Sequence, residues 1–216
     1  IRDAYMRARG MDYFENGRRA VIGQRAYAIA TMGHFAGYDE NIWGLTACDG
    51  PGDTTWERPD GTTMKFYGYF ARGADVGEID DDGTIAPTAA IGSIVFAPEL
   101  VLPAIDAMYR RYGKWLYSKY GFVDAFNPTF QLNVPLRSGY VVPGKGWFDN
   151  QYLGIDQGPI LLMIENYRSG FVWSVMRRNP YIRRGLERAG FTGGWLAEPA
   201  SSATAASTAT AAALAQ

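Results

Sequence analysis

Glycine and proline break this chain so often that regular helix is confined to a few stretches, with long aromatic and polar loops between them. Of 216 residues, 26 are Gly and 11 are Pro, and within a helix each Gly costs about 1 kcal/mol and each Pro about 3 relative to Ala. The length still allows one domain, or two small ones, with a real core. Four stretches carry helical spacing. From about Tyr13 to Met32, the residues Phe14, Val21, Arg25, Ala28 and Ile29 share one face and Gly33 stands where the helix should stop. A second helix begins at Pro98, where a first-turn proline is tolerated, and Val101, Ile105, Met108, Tyr112 and Trp115 form its apolar stripe. Pro103 predicts a kink there, or a start further downstream. A third has Asp156 as N-cap and Pro159 early in the helix, with Ile160 to Ile164 apolar all round, which predicts burial on every side. The last starts at Asn179-Pro180 and ends at Gly190, with Arg183, Arg184, Glu187 and Arg188 outward and Ile182, Leu186 and Ala189 inward.

The intervening segments read differently. Residues 33–53, GHFAGYDENIWGLTACDGPGD, form an ordered loop with at most a short helical turn. Short paired strands are expected between Thr54 and Asp82, with Glu78 to Asp82 as a solvated acidic turn. Phe122 to Gly146 reads as loop, punctuated by Asn127-Pro128 and Pro143-Gly144. Beyond Trp195 the composition collapses to Ala, Ser and Thr, so residues 1–196 make the domain and 197–216 a disordered tail.

Charge and composition remove several function classes. Lys and Arg number 21 against 22 Asp and Glu, which gives no basic field to draw the chain onto nucleic acid. No run of eighteen apolar residues exists to span a membrane. The chain opens at Ile1, as a processed product or a piece of something longer would, and a removed signal peptide would make it periplasmic or secreted. One cysteine and one histidine cannot build a Cys/His zinc site or an internal disulfide. Cys48 and His34 could still form a nucleophile and base; contact between them would support that, and burial of Cys48 would sink it. Phosphate-loop, dinucleotide and serine-elbow motifs are missing.

What remains is carboxylates set among aromatics and glycines: Asp39, Glu40 and Asp49 in the first loop, Asp149 and Asp156 in the second block, and Glu165 beyond. Glycosidic hydrolysis needs such groups, one acid to protonate the leaving oxygen and one carboxylate to activate water or attack the anomeric carbon. Burial beside Trp43 or Tyr38 would keep the acid partner protonated near neutrality. Structural readings stand beside these: capping for Asp156, a turn for Asp49, an arginine partner for Glu40, and core packing for Trp43, Trp147 and Tyr152. Neither a redox cofactor nor a metal ligand set is called for.

Four strings, GYDENIWGLTACDGP at 37–51, DGTIAPTAAIGSIVFAPE at 82–99, YGFVDAFNPT at 120–129 and WFDNQYLGIDQGPILLMIENYRSG at 147–170, resemble the glycoamylase-like family. That family includes bacterial endo-β-1,2-glucanases and a domain of cyclic β-1,2-glucan synthases. The resemblance implies an all-α (α/α)6 toroid, here with a small β excursion around 54–82, that hydrolyses β-glucan with an acid carboxylate and an activated water. It further implies Glu40 as general acid or substrate contact, with Asp49 and Asp156 as further catalytic candidates. Tyr38, Trp43, Trp147, Asp149, Asn150 and Gln151 would line the glucan cleft. The strings cover only the C-terminal half of such a ring, which implies unpaired apolar faces and a partner: an N-terminal half-toroid chain or a second copy. A glucan-binding module without catalysis, or an inactive half-domain, is the alternative.

Overall fold

The computed structural model describes residues 12–74 and 79–197. Among them are six α-helices and five small antiparallel sheets. Helix α1, Tyr13–Thr31, is capped by Asp12, whose carboxylate accepts from the Phe14 and Glu15 backbone N–H groups at 2.8 and 3.1 Å. Only Val21 and Ala28 of its expected face are buried. The helix is instead tied down by polar side chains. Gln24 makes a two-way pair with the Leu45 backbone at 3.0 and 2.9 Å, and Arg18 reaches Phe96 O and Glu99.

The chain then runs through the loop to β1, Ala47–Cys48, and into the expected β excursion: β2, Thr54–Glu57; β3, Thr63–Phe66; β4, Phe70–Ala71; β5, Gly73–Ala74; and β6, Ile79–Asp80. β2 pairs β3 from Thr54↔Phe66 to Glu57↔Thr63, and β4 returns to β1. Among its described residues, the acidic turn is solvated only at Asp80. Asp82 is fully buried against Arg72, which grips both carboxylate oxygens at 2.7 and 2.8 Å, and Asp81 accepts from Tyr27, Tyr38 and the Gly83 N–H. Charge alone suggested water, but a buried guanidinium and two phenols supply the same solvation. Glu78 lies outside the described residues.

After α2, Pro87–Ile91, helix α3 runs unbroken over Pro98–Leu116 with Pro103 inside it. Pro103 stands one turn into the helix, where it forfeits a single backbone bond. Val101, Ala104, Met108, Tyr112 and Leu116 are buried, much as the stripe predicts. A hairpin follows, β7, Tyr117–Ser118, and β8, Gly121–Phe122. The stretch expected to be loop forms a three-stranded sheet instead, ordered β10-β11-β9, from β9, Phe126–Asn127, β10, Tyr140–Val142, and β11, Gly146–Phe148. Gly146, at φ +109°, lies against the Asn127 carbonyl, where a Cβ would stand 2.2 Å from that oxygen. Asn127 holds the junction, donating to Asp82 O and Thr84 Oγ1 and accepting from the Thr129 and Phe130 N–H groups. An all-α class is therefore corrected to a helical domain with small sheets.

The core lies between α2, α3 and this sheet, with Trp43, Trp147, Phe126, Phe148, Phe130, Ile85 and Met108 fully enclosed. The C-terminal helices contrast with it. Helix α4, Gly154–Ser169, starts at Leu153 rather than at Asp156, which lies in its first turn, and stops at Gly170 in the left-handed region. Burial on every side does not occur: Ile155 is 80% and Leu161 68% exposed, and only Asp156 and Asn166 are buried. Helix α5, Phe171–Arg177, and α6, Pro180–Arg188, the latter capped by Asn179, bury no residue. The expected tail lies outside the described residues except for Ala197, which ends a 3-10 turn. No helix among the described residues is long and apolar enough to cross a membrane.

Candidate active site

Four aspartates meet where loops join the small sheets to α4. Asp49 follows β1, Asp124 lies between β8 and β9, Asp149 follows β11, and Asp156 sits in the first turn of α4, where a helix N-terminus favours negative charge. Backbone bonds hold the segments in register: Asp124 N to Gln151 O at 3.0 Å, Asp149 N to Ala125 O at 3.0 Å, and Asp49 N to Asp124 Oδ2 at 2.7 Å. Gln157, one residue beyond Asp156, donates to Phe122 O at 2.6 Å. All four aspartates are buried. Oxygens of Asp49, Asp124 and Asp149 lie within 4.8 Å of one another. Such an oxygen-only set is the place among the described residues where a hard cation could be held.

Positive charge is scarce here. The half-exposed Arg137 places Nη2 3.7 Å from Asp49 Oδ1, the one ion pair to the cluster among the described residues. Asp149 Oδ1 accepts from Ser138 Oγ at 2.9 Å and from the Asn150 N–H at 2.8 Å, whereas Oδ2 of Asp149 and Oδ2 of Asp156 have no partner. Burial, only partly offset by the Asp49 N–H and reinforced by the neighbouring Asp156 and Asp49, pushes the Asp124 carboxyl up to about 7. Asp156 is also raised by burial, although its hydrogen bond to Asp124 works in the other direction. Asp149 is raised, again chiefly by burial. Asp124 and Asp156 thus adjoin closely enough to influence each other's ionisation, and both hold a proton more readily than an ordinary aspartate.

The sequence candidates divide. Asp49, Asp149 and Asp156 come together, with Asn150 and Gln151 exposed at the rim and bonded through their backbones to Asp149 and Asp124. Glu40 does not share the buried setting expected of a protonated acid. Its side chain is 66% exposed, 3.5 Å from Arg25 Nη2, with Asn41 beside it. Tyr38, Trp43 and Trp147, named as cleft lining, are buried in the core. Trp147 nevertheless positions the site, since its Nε1–H donates to the carbonyl of Ser138, the residue that holds Asp149. Asp39 pairs with Arg111, and Glu165 with Arg168 and Ser169. Cys48 is buried and lies against Arg72, not His34; burial pushes its thiol up, so the cysteine-enzyme option falls. Asp124 escaped the sequence reading. Its signal was a lone carboxylate inside the apolar run Phe122-Val123-Asp124-Ala125-Phe126, a place where a charge is costly unless used.

The "exo beta-1,2-glucooligosaccharide sophorohydrolase (non-reducing end)" of Parabacteroides distasonis is 33% identical over 178 residues, 82% of this chain but 20% of that protein. The crystal structure of an endo-beta-1,2-glucanase from Chitinophaga pinensis, with sophorotriose and glucose bound, matches with a TM-score of 0.66 at 33% identity, covering 86% of this chain and 37% of the other. A beta-1,2-glucanase structure from Parabacteroides distasonis matches with a TM-score of 0.61 at 30% identity, covering 82% of this chain and 21% of the other. The chain therefore spans between a fifth and little over a third of the length of these relatives. The Glycoamylase family model, described as "Putative glucoamylase", matches residues 1–180, so this chain belongs to the glycoamylase family.

Proposed function

We propose that this chain supplies the water-activating side of a glycoside hydrolase site acting on β-linked glucan, with β-1,2 as the linkage. The observation that carries the reading is the buried cluster of Asp49, Asp124, Asp149 and Asp156, which has one remote cation and two unpartnered carboxylate oxygens, and in which burial pushes the Asp124 carboxyl up to about 7. A carboxyl poised near the operating pH is suited to take up or release a proton in the reaction. Relatives named as β-1,2-glucan hydrolases support the substrate class.

Geometry also limits what the pair can do. An acid and a base that bracket a glycosidic bond stand about 5–5.5 Å apart in retaining enzymes and about 6.5–9.5 Å in inverting ones. Asp124 and Asp156 adjoin and influence each other's ionisation, so they act as one unit on one side of the bond. The group across from them comes from the rest of a glycoamylase-family domain, and the six helices here are part of its (α/α)6 ring. The exposed apolar residues of α4–α6, among them Ile155, Leu161, Phe171 and Tyr181, are the face that remainder covers. Glu40, turned outward, reaches substrate only at the rim.

Grafting residues 12–197 into the Chitinophaga pinensis endoglucanase, in place of the stretch they match, tests this directly. Release of oligosaccharides from linear β-1,2-glucan is expected, and Asp124→Asn should cut turnover about 10²-fold or more with glucan binding retained. Turnover unchanged by Asp124→Asn and by Asp156→Asn would refute the assignment. Binding without any turnover would favour a glucan-binding module.

A further inference from the structure

A cavity of about 430 Å³ opens beside α3, and its lining carries three cations and no carboxylate. Arg110 and Arg111 reach it from α3 and Lys145 from the turn between β10 and β11, with Gly37, Tyr112 and Pro128 as further walls. The volume falls within the roughly 300–1,000 Å³ that small-molecule sites occupy. The cavity shares no residue with the aspartate cluster.

The cations are held in place but not saturated. Arg110 uses Nε for Asp106, at 2.7 Å, and Arg111 uses Nη1 for Asp39, which leaves further N–H donors on both guanidinium forks. Lys145 makes no ion pair among the described residues, and its ammonium lies 6.0 Å from the Trp115 ring. Backbone bonds fix the turn that carries it: Lys145 N donates to Val142 O at 2.9 Å, and Gly144 N to Gln131 Oε1 at 3.2 Å.

Tyr112 points the same way. The residue is only 9% exposed, with its ring against Phe126 and Phe148 at 5.0 and 6.0 Å, yet its hydroxyl makes no hydrogen bond among the described residues. Burial raises its phenol, so the hydroxyl keeps its proton and can donate. Gly37, at φ +89°, leaves room beside that oxygen: a Cβ there would stand 3.1 Å from it and 2.5 Å from Pro128 Cγ. A nearly buried hydroxyl without a partner is costly unless an acceptor arrives from outside the chain.

We propose that this cavity binds a phosphate group, free or carried as a small monoester. Every charged side chain lining it is a donor only. A tetrahedral oxyanion presents acceptors in several directions, so it can meet two guanidinium forks, an ammonium and a phenol together. A neutral ligand would leave the charges unanswered, and a cation would be repelled. The inference is independent of the β-glucan reading and uses none of its residues.

Titration calorimetry of the whole chain at fixed ionic strength tests it, with inorganic phosphate and ethyl phosphate as the two probes. Saturable binding is expected, and the tighter of the two identifies the free anion or the monoester as the ligand. Tyr112→Phe should weaken it about tenfold, because a hydrogen bond to a charged group is lost while the ring stays. Lys145→Gln should weaken it about two- to fivefold, as loss of an exposed charge does. Lys65→Gln, which removes an exposed lysine outside the cavity, should leave affinity unchanged. Circular dichroism checks that Tyr112→Phe is folded, and Lys145, exposed on its turn, carries the test if it is not. A parent chain that binds neither probe overturns the site. So do Tyr112 and Lys145 variants that bind as tightly as the parent, or an equal loss in Lys65→Gln, which would report overall charge alone.

Discussion

Two groups of buried carboxylates lie on either side of Cys48, and the protein treats them in opposite ways. Asp82 is enclosed together with Arg72, whose guanidinium makes two short bonds to it and others to the carbonyls of Cys48, Phe70 and Tyr67. Burial works against the charged guanidinium, yet the hydrogen bonds to Asp82 and Cys48 and the charge of Asp82 outweigh it, so Arg72 stays firmly protonated. Around Asp124, comparable burial meets one remote cation and leaves two carboxylate oxygens without a partner. A buried charge is stable when it is paired and hydrogen-bonded, and otherwise it shifts its pKa. The first group is a strut that closes the β excursion onto the core; the second keeps an unstable ionisation that only a reaction or a ligand would justify.

The largest expected effect breaks the strut. Arg72→Met removes one partner of a fully buried pair and should cost about 3–5 kcal/mol of stability, because it strands Asp82. Denaturant unfolding measures it, and a loss below 1 kcal/mol would show that Asp82 finds other solvation. Asp82→Asn should cost less, since an amide is cheaper to bury than a charge.

The second test sharpens the contrast through pH. The Asp124 carboxyl is raised from the ordinary aspartate range to about 7 in the folded chain, so the native state binds more protons than the unfolded one between about pH 4 and 7. Stability linked to this group is complete below about pH 4 and falls as pH rises through 7. Asp149 and Asp156, raised in the same direction, contribute the same sign. The melting temperature should therefore decline from weakly acid to neutral pH. Asp124→Asn should flatten that decline and melt higher than the parent at pH 8, since the amide oxygen can still accept the Asp49 N–H. A parent profile that rises over this range would contradict the assignment.

The smallest effect concerns Glu40. Exposed and paired with Arg25, it resembles the surface ion pairs that contribute about 0–1 kcal/mol. Glu40→Gln should leave melting within a degree or two and cut turnover of the graft by no more than about tenfold, well short of Asp124→Asn. A loss as large as that of Asp124→Asn would place Glu40 in the reaction itself.

Local rules read off the sequence determined much of what lies near in sequence. Helices α1, α3 and α6, the β excursion, and Asn179 as a helix start follow from apolar spacing and capping chemistry. The composition of the loops and their long strings pointed to carboxylate chemistry and to the family that the matches support. Tertiary structure alone decided which carboxylates matter. Asp81, Asp82, Asp124 and Asp149 are the same residue type in glycine-rich or apolar surroundings; only packing puts Arg72 beside Asp82 and two tyrosines beside Asp81, and leaves the other two nearly without cations. The sheet of β9, β10 and β11 went unread because its strands of two or three residues are too short to show alternation, and their pairing joins residues up to 22 apart. In α4, an apolar helix meant burial to the sequence, but Ile155, Leu161 and Leu162 face outward. Periodicity reports what a segment can bury; which partner buries it depends on the whole fold.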